Sequence, residues 1–384
     1  MTTKHRYAVL VVGGGVMGLA TLEALTRRTR APVGLLEQRT LAHVGGSSHG
    51  AARIARSAYA EPVYARLMRR AYAEDWPRLA ADAGETLLHP SPGCFFGAGA
   101  PIDGYRDAVR AAGLGEDVVE ELRVADARRR YPSMGFPGAS YVLDDHTCHV
   151  VAADRTTAAL ARLARNRGAA IHEGHRVADL DLSGRGARVV SGDVEIDCDV
   201  VVLTAGPWIG RLAPRLTRPL VALRQTVAFF RPARDPEAFR LGRFPLWCEV
   251  GDDDTSMHYA LPELDAGLLK IARHRLAGPA DDPDATAAPD PAEVERLREV
   301  ASRVMTVELG AAERADTCLY TCTPTEDFVL GALPGERRVV VGAGFSGHGF
   351  KFAPLVGRVL AELALDGRSS VPEFEAERAR FAPS

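Results

Sequence analysis

Three glycines, Gly13, Gly15 and Gly18, stand in the order G-x-G-x-x-G at the end of a short apolar run, residues 9–12. The run reads as a buried strand, and residues 17–25 that follow read as a helix. In a dinucleotide site the first glycine makes the tight turn and the second lets the backbone approach a pyrophosphate. The third lets helix pack on strand, and the helix N-terminus faces the phosphates. A second apolar run, residues 33–36, ends at Glu37. That acid follows the last glycine by about 20 residues, where a ribose hydroxyl needs an acceptor. The motif alone does not separate FAD from NAD, and the plain alternative is a glycine-rich turn in an ordinary α/β domain.

Positive charge is distributed unusually. Of 47 basic residues only Lys4, Lys270 and Lys351 are lysine. Arginine serves everywhere else, as a GC-rich coding bias would produce. Lys4 lies near the terminus and is expected to be disordered. Lys270 and Lys351 mark positions where a compact ammonium fits and a guanidinium fork does not, unless they survive by chance. Residues 44–59 are glycine-rich and then basic, with His49, Arg53 and Arg56. They predict a loop leading into a short helix that offers N–H groups and arginines to an anion; a solvated basic loop is the alternative. Residues 344–352 (GFSGHGFKF) form another glycine turn feeding a helix. With Lys351 beside it, that turn could stabilise the negative charge along the pyrimidine edge of a reduced flavin.

The elements that must position these groups follow from periodicity. The 384 residues suffice for two or three domains with well-formed cores. Helices are expected from Glu61, near 105–112, over 154–166 and from Asp290, where Pro291 and Glu293 complete a capping-box spacing. Strands are expected at 169–171, 176–180, 187–190, 194–196, 199–203, 221–230, 256–261, 267–271 and 337–341. Residues 277–291 read as an acidic surface loop. The buried runs at 199–203 and 337–341 return the chain to the glycine-motif domain. That domain is therefore discontinuous, made of residues 1–85, 146–218 and 317–384. Residues 86–145 and 219–316 form a mixed β domain. A net charge of −3 gives no reason to expect nucleic acid or an anionic membrane, and no apolar run reaches the roughly 20 residues of a membrane span. The N-terminal run is too short for a signal peptide, and the C-terminus carries no peroxisomal tripeptide. Six scattered cysteines without a C-x-x-C pair read as free thiols in a reducing cytoplasm, with no zinc or other metal site.

Several segments in chain order resemble the monomeric sarcosine oxidase family of covalent flavin amine oxidases, which includes N-methyltryptophan, pipecolate and cyclic imino acid oxidases. They are the glycine motif, residues 46–56 (GSSHGAARIAR), 204–208 (TAGPW), Leu269-Lys270-Ile271 with His274, residues 318–321 (CLYT) and residues 344–352. The resemblance implies a Rossmann-like FAD domain of the glutathione-reductase and D-amino acid oxidase type beside a mixed β-sheet substrate domain. It implies FAD bonded through Cys318, with Cys322 an unrelated buried thiol. Glu37 would hold the ribose, Val177 would pack near adenine, and Ser48, His49, Arg53, Gly344, Gly347, Gly349 and Lys351 would surround the flavin. Arg56 and Lys351 would bind a substrate carboxylate, Lys270 would sit where oxygen is reduced, and Tyr259 and His274 would line the substrate cavity.

The sequence departs from the sarcosine oxidase pattern at three places. Ser48 stands where a second histidine is expected beside His49. Trp247 replaces a smaller residue upstream of the pocket strand, and Asp252-Asp253-Asp254 reads as an insertion. These changes point to a bulkier or cyclic secondary amino acid, with Trp247 in the substrate site. The expected reaction is oxidation of a C–N bond to an imine, with O2 reduced to H2O2, in a monomer or small homo-oligomer. A tailoring oxidase or dehydrogenase acting on another amine, a non-enzymatic flavoprotein subunit and an NAD-dependent reductase are the other classes.

Overall fold

The computed structural model describes residues 3–192, 194–251, 257–265, 267–274 and 282–383. Asp252, Asp253 and Asp254, Ser256 and residues 277–281 of the acidic loop lie outside them. Two eight-stranded sheets and one three-stranded sheet organise the chain. The strand Thr3–Val12 lies at the centre of the first. It pairs in parallel with Val33–Glu37 on one side and Val194–Leu203 on the other. Ala170–Glu173 and Glu336–Ala343 extend the parallel part outward. The helices Val16–Arg28 and Ala353–Asp366 pack on this sheet through residues that are buried on nearly every turn. All five residues of Val33–Glu37 are buried, as a strand covered on both faces requires.

The second sheet is mixed. Its order is Leu309–Cys322, Val221–Pro232, Leu269–Arg273, His258–Pro262, Leu246–Val250, Gly93–Gly97, Tyr141–Asp145 and Val119–Leu122. Among the described residues only the pairing of Leu246–Val250 with Gly93–Gly97 is parallel in this sheet. One face packs Phe96, Phe230, Trp247, Leu269 and Ile271 against Leu297 and Ala301 of the helix Pro291–Val304. The other face carries the alternate residues and looks toward the first sheet. The small sheet joins Ala52–Ala55, His149–Ala152 and Leu88–Pro90 between the two. Among the described residues no helix is long and apolar enough to cross a membrane.

The structure departs from the sequence reading in several places. Residues 52–55 form a strand rather than the start of a helix, held by backbone pairing to His149–Ala152. The runs at 194–196 and 199–203 are one continuous strand, Val194–Leu203. Val177 precedes the strand Asp179–Asp181 rather than lying in it. The helix after Glu61 contains a wider turn, Ala71–Asp75, between Pro62–Arg70 and Trp76–Ala83. Lys4 is ordered in the first strand and pairs with Glu195 at 3.7 Å. The strand Leu309–Cys322 runs through the expected boundary at 316/317 and belongs whole to the second sheet. Asp290 caps its helix by accepting from Ala292 N at 2.9 Å, but Glu293 pairs with Arg273 and Arg296 instead of closing the capping box.

Candidate active site

A cavity of about 1390 Å³ runs from the glycine turn at Gly13–Val16, past Glu37 and Ser47–Arg53, to Lys270, Tyr259 and Cys318 on the second sheet. The turn is shaped for close approach. A Cβ on Gly18 would lie 1.8 Å from Gly13 O, whereas one on Gly15 would meet only Ser48 Oγ, at 3.2 Å. The third glycine is thus needed for packing, and the second leaves bare backbone facing the cavity. The Glu37 carboxylate ends its strand buried, accepting from Gly14 N at 2.7 Å and Arg39 N at 2.8 Å. Ser48 Oγ accepts from Val16 N at 3.0 Å and so caps the helix that begins there.

A smaller cavity of about 50 Å³ adjoins the larger one and shares Arg53, Tyr259, Lys270, Gly347 and Phe350 with it. Arg56, Lys351, Cys248 and His274 complete much of its wall. The buried Arg56 guanidinium lies 4.1 Å from the centre of the Tyr59 ring and within 5.6 Å of Phe95 and Tyr105, and it donates to Ala58 O. Buried Asp145 fixes this turn by accepting from Ser57 N at 2.7 Å and Ala58 N at 2.8 Å. Lys351 Nζ donates to Tyr59 OH at 2.9 Å and His348 O at 3.0 Å. Lys270 Nζ donates to Ala52 O at 3.0 Å. Arg53 ties its own loop together, donating to Ala52, Ser47 and His49 carbonyls. Among the described residues none of these four cations forms an ion pair with a carboxylate.

Burial sets the protonation of the site. It pushes the Lys270 ammonium down to about 7, aided by nearby Arg53, and holds Lys351 well below its ordinary value, aided by Arg56. It lowers His49 to about 4, with Arg53 and Lys270 adding to the effect. The His49 imidazole is therefore neutral, and its buried Nε2 has no partner among the described residues. Thr321 Oγ1, also on the cavity, is likewise unpartnered. Burial raises Tyr259 to about 12, so the phenol stays protonated. The Cys318 thiol is raised by burial against the pull of Arg53 and Lys270. Among the described residues it is the one cysteine not buried.

The family described as FAD dependent oxidoreductase matches residues 8–363. The chain belongs to that family. Peroxisomal sarcosine oxidase of Mus musculus is 32% identical over 366 residues, 93% of this chain and 91% of the relative. Monomeric sarcosine oxidase of Streptomyces avermitilis is 30% identical over 385 residues, 98% of this chain and 99% of the relative. The solved open form of NikD, an unusual amino acid oxidase essential for nikkomycin biosynthesis, matches with a TM-score of 0.84 at 26% identity, covering 99% of this chain and 98% of that one.

The cavity of this FAD-dependent oxidoreductase suits the cofactor. Bare backbone at Gly13–Gly15 and the helix N-terminus can take the pyrophosphate. Unpartnered His49 Nε2 and Thr321 Oγ1 offer polar contacts, and the cations suit negative charge. Val177 lines the far end, with Trp208 and Arg176. The loop glycines are sterically required: a Cβ on Gly347, whose φ is 78°, would lie 2.0 Å from the Tyr320 ring. Gly344, at φ 65°, makes the turn out of its strand, and a Cβ on Gly349 would strike Phe345.

Around the smaller cavity the structure brings together Arg53, Arg56, Tyr259, Lys270, His274 and Lys351. It does not bring Trp247 there. Side chains alternate along Leu246–Val250, so Trp247 enters the core beside Phe96 while Cys248 faces the cavity. Ser48, expected at the cofactor, lines the large cavity and reaches the helix N-terminus. Cys322 is buried against Leu223 and Tyr320. Sequence reasoning missed Tyr59, Phe95 and Tyr105 around Arg56, and Tyr320 beside Tyr259. Only Tyr59 carried a local signal, three residues after Arg56.

The uncompensated lysines have a cost that can be measured. The folded pKa of Lys270, about 7, lies below its ordinary value of 10.5. The unfolded chain therefore binds more protons between those values, and stability rises with pH across that window. In flavin-free protein at pH 7, Lys270→Met should raise Tm, removing a penalty on the order of 1–3 kcal/mol. The gap from wild type should close as pH approaches 10.5; an unchanged or lower Tm at pH 7 would show that the ammonium is already compensated.

Proposed function

We propose that this FAD-dependent oxidoreductase oxidises a secondary amino acid, N-methyl or cyclic, at its C–N bond to the imine, with O2 reduced to H2O2. The observation that carries the reading is the pair Arg56 and Lys351, buried together on one small cavity with no acid partner among the described residues, beside a site that suits FAD. Such a pair asks for a carboxylate, and two donors orient it as well as bind it. The names of the sarcosine oxidase relatives supply the secondary amine. FAD, when bound, supplies the acceptor for the two electrons and the route to oxygen.

The chain's own groups prepare that chemistry. The aromatic faces of Tyr59, Phe95 and Tyr105 exclude water from Arg56 and strengthen its pull on an anion. Tyr59 OH and His348 O hold the Lys351 ammonium in place. Ile54, Met257, Leu261 and Cys248 form an apolar wall that sets the room for the substrate side chain. With Trp247 in the core and Ser48 on the helix cap, neither departure from the sarcosine oxidase pattern reaches this end of the cavity. The compact pocket favours a small N-methyl or cyclic acid over the bulkier one that Trp247 suggested. The resemblance to NikD favours a second reading, a tailoring oxidase acting on an amino acid in a biosynthetic pathway. Arg56, Lys351 and Lys270 would have the same roles in it.

Cys318 is proposed as the point of covalent attachment. It stands on the cavity-facing side of Leu309–Cys322 and shares the cavity with Lys270 and Tyr259. Acid denaturation of the yellow protein should leave flavin on the polypeptide in wild type and release it in Cys318→Ala. Release from wild type would end the covalent assignment and leave the fold and FAD site standing.

Lys270 is proposed as the cation that favours electron transfer to oxygen, since the first transfer makes an anion. Lys270→Met should slow flavin reoxidation by about 10-fold or more while anaerobic reduction changes little. In wild type, reoxidation should fall as pH rises through and above about 7 and the ammonium is lost. Equal slowing of both half-reactions, or a flat pH profile, would remove that role.

A further inference from the structure

The wide turn Ala71–Asp75 interrupts the helix that runs from Pro62 to Ala83. Its closing bond runs from Trp76 N to Ala71 O, five residues back rather than four. The local cause is Pro77. It has no N–H to give, and in a continuous α-helix its ring would strike the carbonyl of Ala73. The extra residue in the turn sets everything beyond it about 100° behind a continuous helix, since 3.6 residues make a full turn. Such turns are rare and concentrate at functional sites. This one is where the helix grips the Lys351 loop. Before it, the Tyr64 ring lies 5.0 Å from His348 and 5.8 Å from Phe352 between centres. Within it, Glu74 and Asp75 each accept at 2.9 Å from Arg358, on the helix that follows Lys351. After it, the buried Trp76 indole donates to Lys351 O at 2.8 Å.

We infer that Trp76 is a positioning residue for the substrate carboxylate: its indole N–H anchors the Lys351 backbone, and the wide turn at Ala71–Asp75 aims the indole there. The inference rests on the pocket assignment proposed above. Trp76 lines neither cavity, so it acts through Lys351. The Lys351 ammonium bonds one group on its own loop, His348 O, and one outside it, Tyr59 OH. Its place therefore follows the place of the loop backbone. That loop contains Gly347 at φ 78° and Gly349, so its shape needs anchors from outside. Arg56 is fixed separately, in the turn held by Asp145. Two cations read one carboxylate well only at the right separation. The anchor on Lys351 is what sets that separation from its side.

The test is anaerobic reduction of the holoenzyme's flavin by sarcosine and by dimethylamine, with acetate as competitor. Trp76→Phe keeps an aromatic ring and removes the donor. Efficiency with sarcosine should fall by about 10-fold and acetate should weaken to match, while efficiency with dimethylamine stays within about 2-fold. Leu79→Ala truncates a buried residue of the same helix, away from both cavities. It should lower Tm and keep the wild-type preference for acid over amine, which separates positioning from stability. In Lys351→Met, adding Trp76→Phe should cost no further preference. If Trp76→Phe yields no holoenzyme, Arg358→Gln, which releases Glu74 and Asp75, is measured in its place with the same readings. An unchanged preference and acetate affinity, equal losses on acid and amine, or additive losses in the double variant would each overturn the inference. If the wild type itself shows no preference for the acid, the pocket assignment fails and takes this inference with it; if it does and Trp76→Phe matches it, only the inference fails.

Discussion

Arg53, Arg56, Lys270 and Lys351 surround one cavity system, and among the described residues their hydrogen bonds go to carbonyls and a phenol rather than to acids. Isolated cations inside a protein are unfavourable unless something pairs with them. A fold that keeps four in one place is organised to receive negative charge. Two sources are chemically apt: the anionic ring system of a reduced flavin on the Arg53 and Lys270 side, and a carboxylate between Arg56 and Lys351. Burial, with Arg53 near one and Arg56 near the other, holds both lysines below their ordinary values.

The two large sheets divide the labour. The parallel sheet supplies the glycine turn, Glu37 and a capped helix N-terminus, which suit a dinucleotide. The mixed sheet supplies Cys318, Lys270 and Tyr259 on its inner face, with its outer face sealed by Pro291–Val304. Between them the short strand Ala52–Ala55 carries Arg53 inward and offers the Ala52 carbonyl that holds Lys270. Arg56 follows at once, in a turn fixed by Asp145. The large cavity and the small one are therefore joined by one short stretch of backbone.

What was legible in the sequence was what local chemistry dictates. The glycine spacing and Glu37 depend on one strand, one turn and one helix, so they stood out. Lys270 and Lys351 stood out because the chain uses arginine almost everywhere else. Trp247 was misplaced because the face of a strand depends on its register, which residues 246–250 alone do not reveal; Cys248 holds the position instead. The strand at 52–55 was missed because only Ile54 of its four residues favours a strand and its partner, His149–Ala152, is remote in sequence. The aromatic box around Arg56 was invisible because Phe95 and Tyr105 reach it from elements distant in sequence.

The central claim is that the paired cations Arg56 and Lys351 read a carboxylate. It is tested most directly by anaerobic reduction of the wild-type flavin with a secondary amino acid and with the amine that lacks only its carboxylate, sarcosine against dimethylamine and pipecolate against piperidine. The acids should reduce the flavin on the order of 100-fold more efficiently than the amines, or better, and acetate should compete with them. Comparable efficiency for acid and amine, with no competition by acetate, would contradict the claim.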